Sequence, residues 1–283
     1  MKVYEVITNA TLEKLEQGSI PWHKPWSGQD HMPKNLITKK EYQGINAFLL
    51  GCQGYASPYW LTFKQCRDLG GTVTKGAKAT PVIYWNWLEI DKDGETEEKV
   101  PFLRYYSAFN VDQCENIPQE KVPQIVIAAN AIDRITVCEE IIKGMEDRPA
   151  ITHTRQAAFY YVDKDIINMP LFASFESAET YYSTLFHELT HSTGHEKRLA
   201  RPGITDLSLF GTPSYSKEEL IAEMGAAFLC GFAGIENVTL NNSAAYVQGW
   251  LKKLRNEKKV VIVAAAQAQK AANYILNKAS TPE

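Results

Sequence analysis

Tyr181-Tyr182-Ser183-Thr184-Leu185-Phe186-His187-Glu188-Leu189-Thr190-His191-Ser192-Thr193-Gly194-His195 is the stretch of this 283-residue chain that carries the most chemistry. Within it, His187-Glu188-Leu189-Thr190-His191 matches the pattern H-E-x-x-H. Residues four apart on a helix lie one turn above each other, so both imidazoles point to the same side and can share one tetrahedral ion. Glu188, beside the first ligand, then reaches the ion's water. Phe175, Ala178, Tyr181, Tyr182, Leu185 and Leu189 recur at helical spacing and leave the histidines off the apolar stripe. Ser174 is the expected start cap and Gly194 the expected stop.

The pattern arises by chance in roughly one chain of this size in a hundred, leaving two surface histidines as the bland alternative, so a third ligand has to decide. A metzincin needs a histidine six positions after His191, where this chain has Lys197. A gluzincin takes a glutamate from a later helix, and Ser216 to Leu229 offers Glu218, Glu219 and Glu223. Glu219 is the expected ligand, with Glu223 one turn on as the acceptor that orients a ligand imidazole. Ser216 and Glu219 also form an S-x-x-E capping box, which would explain Glu219 by itself and make Glu223 the ligand. With zinc (Zn2+) or another divalent metal in place, its water is acidified, Glu188 acts as general base, and the leaving amine is protonated. That is peptide-bond hydrolysis. Tyr215 and Tyr182 are candidate oxyanion stabilisers.

Outward from this site the composition is that of an ordinary globular chain: 45% apolar, 22% charged, net charge −3. This excludes wholesale disorder and a global polycation. The longest apolar run, Val260 to Ala266, is far short of the roughly 20 residues that span a bilayer, and the N-terminal stretch lacks a signal-peptide core. No membrane partner is expected. Cys52, Cys66, Cys114, Cys138 and Cys230 are odd in number and never form CxxC, which suits free thiols in a reducing cytoplasm.

Residues 3 to 17 read as an amphipathic helix. Ile20 to Trp26 sets two prolines among two tryptophans and is held extended. Pro58 to Phe63 reads as a turn leading into a helix. Ala79 to Glu89 and Val100 to Asn110 read as paired strands around a turn at Asp91-Lys92-Asp93-Gly94. Asn116 to Gln124, with two prolines and no apolar period, reads as a linker, so two domains are expected, 1–125 and 126–283. Beyond it come a helix from about Ala131 to Lys143, strands around Ala150–Thr154 and Phe159–Val162, then mostly helix. The class is α+β.

Five of the six tryptophans precede residue 110, and residues 31–80 carry seven basic side chains against two acidic ones. Residues 81–120 reverse the balance, three to nine, so the charge is segregated. Ammonium groups beside aromatic rings suit single-stranded nucleic acid, whose phosphates and bases they engage respectively. The candidates are Lys24, Lys39, Lys40, Lys64, Lys75 and Lys78 for phosphate, and Trp22, Trp26, Tyr42, Tyr59 and Trp60 for stacking. A lysine-rich solvated face over a Trp-rich core is the competing explanation.

Ile20 to Trp26, Tyr42 to Leu50, Ser57 to Gln65 and Gly70 to Gly76 together resemble the N-terminal domain of ArdC-type antirestriction proteins. Asp165 to Pro170, Tyr181 to His195, Arg198-Leu199 and Glu218 to Glu223 resemble the same family's zincin-type metallopeptidase domain. The resemblance implies an N-terminal domain that binds single-stranded DNA and a mainly helical metallopeptidase-like domain, carried on mobile elements to protect incoming DNA. It implies metal ligation by His187 and His191, a base role for Glu188, and a third ligand from the Glu219–Glu223 helix. The protein substrate is not named by it. The competing expectations are a protease effector whose N-terminal domain docks a protein, and a DNA-binding protein with a structural, silent metal site.

Overall fold

A computed structural model of the chain describes residues 3–17, 20–21, 32–92, 96–123, 134–205, 213–235 and 244–278. Helix α1 (Val3–Glu16) buries Ile7, Thr8, Thr11 and Leu15, a stripe at three- and four-residue spacing. Strands β1 (Lys34–Asn35), β2 (Tyr59–Thr62), β4 (Thr80–Lys92) and β5 (Thr96–Asn110) form a sheet in the order β1-β2-β5-β4. β1 runs parallel to β2 and the other neighbours are antiparallel. Helix α2 (Gly44–Gly51) is apolar almost throughout and is buried from Gly44 to Leu50. The segment expected to turn into a helix is first a strand, β2, and then α3 (Phe63–Asp68). Thr62 and Gln65 close a capping box that satisfies the freed backbone donors at the junction. β3 (Thr72–Val73) pairs with β6 (Cys114–Glu115).

The hairpin β4–β5 holds register from Thr80↔Ala108 to Lys92↔Thr96. Asp91 and Lys92, expected in its turn, lie in the strand, and residues 93–95 are outside the described residues. The linker boundary expected near residue 125 is also outside them.

The second half contains α4 (Arg134–Gly144) and a small sheet of β7 (Ala150–Thr152), β9 (Ile166–Asn168) and β8 (Phe159–Tyr161), in that order. The central strand β9 was not anticipated, because three residues show no period; its pairing on both sides defines it. Then follow α5 (Ala178–Ser192), α6 (Pro202–Thr205), α7 (Pro213–Ala233), α8 (Ala244–Asn256) and α9 (Val260–Ile275). α9 buries Ala264, Ala265, Ala268, Ala271 and Ala272, small side chains that let α7 and α2 approach its axis. The first helices pack directly on the last ones. Phe48 of α2 lies 4.3 Å, centroid to centroid, from Phe228 of α7. The Gly44 amide donates to Gln269 Oε1 at 3.1 Å, and Thr8 Oγ1 donates to the Lys258 carbonyl at 2.6 Å.

Two helix starts differ from expectation. α5 begins after Ser177, whose hydroxyl accepts from the Thr180 amide at 3.2 Å, and not after Ser174, which ends a 3-10 turn. Phe175 therefore precedes the helix and packs edge-on against Tyr181, 5.2 Å between centroids. α7 begins at Pro213, so Ser216 lies inside it and cannot cap it. The capping-box explanation of Glu219 falls with that.

α5 and α7 cross closely at Gly225, where an added Cβ would lie 2.4 Å from Thr190 Cγ2. Thr190 is fully buried and has nowhere to go. Gly225→Ala is expected to force the helices apart at a cost of about 1–3 kcal/mol, seen as a lowered melting temperature in calorimetry; an unchanged Tm would show that the crossing yields freely.

Candidate metal centre

Helix α5 buries Tyr181, Tyr182, Leu185, Phe186 and Leu189 and turns His187 and His191 toward α7. The last turn of a helix leaves carbonyls without intrahelical partners. Here two arginines from the following loop supply the donors, and their positive charge suits the negative end of the helix dipole. Arg198 Nε donates to the Ser192 carbonyl at 2.7 Å, and Arg201 Nη2 donates to the Thr190 carbonyl at 2.8 Å. Arg198 also pairs with Asp165, at the start of β9, and with the Tyr160 hydroxyl. The Asp165–Pro170 motif is thereby explained: Asp165 ties the small sheet to the end of α5. Asn168 holds the 154–157 loop, accepting from the Thr154 and Arg155 amides and donating to the Arg155 and Ala157 carbonyls.

The ligand atoms of His187, His191 and Glu219 all lie within 4.8 Å of one another. His187 Nε2 is 3.1 Å from His191 Nε2, and Glu219 is 3.6 Å from the first and 3.5 Å from the second. Donors about 2.0–2.1 Å from a tetrahedral ion sit roughly 3.3 Å apart, so the triangle has the size of such a coordination shell. The three side chains keep some exposure, 30% for Glu219, which leaves room for a further ligand.

The second edge of His191 identifies the supporting acid. Nδ1 is buried without a hydrogen-bond partner at normal length, and its neighbour is Glu218 Oε1 at 3.5 Å. The Glu218 side chain is 4% exposed against 30% for Glu219, so the two consecutive glutamates divide into a buried strut and an accessible ligand position. Glu218 is gripped by Arg201, with Nη2 2.5 Å and Nε 3.2 Å from Oε1. Arg201 Nη1 also donates to Thr193 Oγ1 at 2.6 Å, so one guanidinium joins the end of α5 to the start of α7.

Burial alone would lower the His191 pKa, but the carboxylates of Glu218, Glu188 and Glu219 outweigh it and hold it above the ordinary value. Burial would raise the Glu218 carboxyl, and the hydrogen bonds and charges of His191 and Arg201 outweigh it and hold it below the ordinary range. Glu188 itself is 8% exposed on α5.

Glu223, expected to orient an imidazole or replace Glu219, is not part of the cluster of His187, His191 and Glu219. It acts on Lys253 of α8, whose pKa burial lowers and Glu257 and Glu223 raise. His191 Nδ1 faces a different acid, Glu218 Oε1, at 3.5 Å. Glu218 precedes Glu219 and so stands about 100° around the helix from it. Arg201 was missed altogether, since nothing in Arg-Pro-Gly signals a buried guanidinium. Tyr182 is buried and donates to Glu139 Oε1 at 2.6 Å, toward α4. The Tyr215 side chain lies outside the described residues.

The expected nucleic-acid residues separate into three groups. Trp22, Lys24 and Trp26 lie outside the described residues. Trp60, 1% exposed, and Tyr42, 8% exposed, are core, packed with Leu50, Val82 and Ala108, and offer no ring face to a base. They are corrected to structural residues, for the reason that the sheet and α2 close over them. Lys40, Lys64, Lys75 and Lys78 are exposed; Lys64 pairs with Asp68 at 2.7 Å, and exposed Lys39 lies 5.1 Å from the half-buried Tyr59 ring. Among the described residues, exposed rings the sequence did not single out include Tyr55, Phe63, Tyr84, Trp85 and Tyr105. All five cysteines are free, and Cys66, Cys138 and Cys230 are buried. No described helix is long and apolar enough to cross a membrane.

Comparison with known proteins bears on both halves. Residues 1–109 match the family described as the N-terminal domain of anti-restriction factor ArdC, and residues 138–267 match the zincin-like metallopeptidase family. The chain is similar to the crystal structure of metal-free antirestriction ArdC protein from the R388 plasmid, with a TM-score of 0.77 and 34% identity over 99% of this chain and 100% of that one. The Mn(II)-bound structure of the R388 protein gives 0.75 and 35%, covering 98% of each chain. DNA primase TraC of Escherichia coli is 35% identical over 96% of this chain, which spans 20% of that relative's length.

Proposed function

The chain belongs to the ArdC antirestriction family, and from that premise we propose that it protects incoming DNA of a mobile element by binding it single-stranded through its N-terminal part. The C-terminal part, beginning near residue 125, is a metallopeptidase that acts on a protein target, and the protein works in the cytoplasm. The observation that carries the enzymatic half is the triangle of His187, His191 and Glu219, set within 4.8 Å and backed by Glu218 and Arg201. These three side chains would hold a divalent ion, zinc by the chemistry of the donors, and a manganese-bound relative is in keeping with a divalent site. When bound, such an ion polarises a carbonyl oxygen and acidifies water.

The chain's own residues do the rest. Glu218 faces His191 Nδ1 and so leaves Nε2 free to ligate. Glu188, buried beside the first ligand, takes a proton from the attacking water and returns one to the departing amine.

Elemental analysis after zinc loading and dialysis tests the site. One ion per chain is expected, and Glu219→Ala is expected to lose it. A Glu219→Ala protein with full zinc content would remove Glu219 from the ligand set. Single-strand affinity is expected to fall steeply with salt, as bound counterions are released; no affinity at low salt would leave a peptidase whose N-terminal part docks protein.

A further inference from the structure

Of β5, β2 pairs residues 108–110 alone, so beyond Thr80 and Ala108 the β4–β5 hairpin continues as a two-stranded ribbon. Successive side chains of a strand point to opposite faces. The register therefore sets Val82 and Tyr84 on one face with Ala108, Tyr106, Arg104 and Phe102. The inner end of that face is core, since Val82 and Ala108 pack with Trp60. Farther out, among the described residues, it is exposed. Tyr84 is 40% exposed and stands directly across from exposed Arg104. The Arg104 guanidinium lies 4.8 Å from the Phe102 ring centroid, and the Tyr84 ring is 5.8 Å from Tyr106. Tyr106 is pinned from beneath, its hydroxyl donating to that of Tyr42 at 3.3 Å.

Charge selects the occupant. Residues 75–88 and 100–111 contain Lys75, Lys78 and Arg104 and no acid, whereas residues 89–99 at the far end hold six acids against Lys92 and Lys99. A face of rings with a cation among them, on the acid-free part of the hairpin sequence, suits a polyanion carrying flat groups, laid over the inner part of the ribbon. In a duplex the bases are already stacked on each other; only a single strand can lay a base face on a ring.

We propose that Tyr84 and Arg104, flanked by Tyr106 and Phe102, form the stacking platform for single-stranded nucleic acid, with Tyr84 taking a base and Arg104 a phosphate. This rests on the single-strand reading above. The test is fluorescence anisotropy of a labelled oligothymidylate with the full chain at several salt concentrations. Tyr84→Ala is expected to weaken binding roughly 5- to 150-fold and Tyr84→Phe to restore it. Arg104→Ala is expected to weaken binding and to flatten the logarithmic salt slope by about 0.7. Tyr161→Ala, an exposed ring on the small sheet, is expected to bind as wild type. Wild-type binding with Tyr84→Ala and Arg104→Ala within twofold of it overturns the platform and leaves the single-strand reading standing. No wild-type binding at low salt overturns both. Sedimentation that shifts from dimer to monomer in Tyr84→Ala with DNA affinity unchanged would assign the face to a second copy and overturn it as well.

Discussion

Glu188→Gln is expected to retain one divalent ion per chain while hydrolysing peptide bonds on the order of 100- to 10,000-fold more slowly, the range supplied by a positioned general base. Glutamine has the shape of glutamate, so the buried position on α5 stays filled and the triangle of His187, His191 and Glu219 is undisturbed. What is lost is an oxygen that can take up a proton at neutral pH. The charge is lost as well, and with it one of the carboxylates that hold His191 above its ordinary pKa. Metal content by elemental analysis and cleavage of a diverse peptide pool by mass spectrometry read the two consequences separately. Undiminished cleavage would remove Glu188 from the chemistry. Loss of the ion together with activity would make it a structural residue.

The second large effect is expected at Arg201, which reaches a ligand residue only through the His191 backbone carbonyl, at 3.5 Å. Its guanidinium is 4% exposed and holds together the Thr190 carbonyl, Thr193 Oγ1 and Glu218. Arg201→Met leaves Glu218 buried and ionised with only His191 to compensate it. Breaking a buried pair from one side costs about 3–5 kcal/mol, which for a chain of this size corresponds to a fall in Tm of roughly 10 °C. Adding Glu218→Gln to Arg201→Met is expected to recover part of the loss, because the uncompensated charge is then gone; strictly additive losses in that cycle would show that the pair does not interact. Acid has a related effect in the wild-type chain. The folded Glu218 carboxyl lies below its unfolded value near 4.3, so its contribution is fully present above that pH and is lost as pH falls through the folded value.

Where residues near in sequence lie together in the structure, their grouping was legible. His187, Glu188 and His191 share one helix, and a helix converts spacing into direction without reference to anything else. Glu219 could be singled out as a candidate because a third ligand would come from some later acid and the choice was among three. Glu218 could not be assigned its place, because which acid meets His191 Nδ1 depends on how α7 is rotated about its axis. That rotation is set by Gly225 against Thr190 and by Arg201, contacts between parts of the chain that have no local signature. The nucleic-acid candidates failed at Trp60 and Tyr42 for a similar reason. Aromatic composition announces stacking surface and core in the same letters, and only the closure of α2 over the sheet separates them.

By itself, then, the sequence determined the α+β class, the placing of His187, Glu188 and His191 on one helix, and the existence of the strands and helices that repeat a period often enough to be read. Tertiary structure alone decided which glutamate supports an imidazole, that Arg201 locks two helices, and which rings of the hairpin remain in water. Periodicity and pattern are properties of neighbours along the chain. Burial, and the direction from which a charge approaches, belong to segments that meet only after the chain has folded.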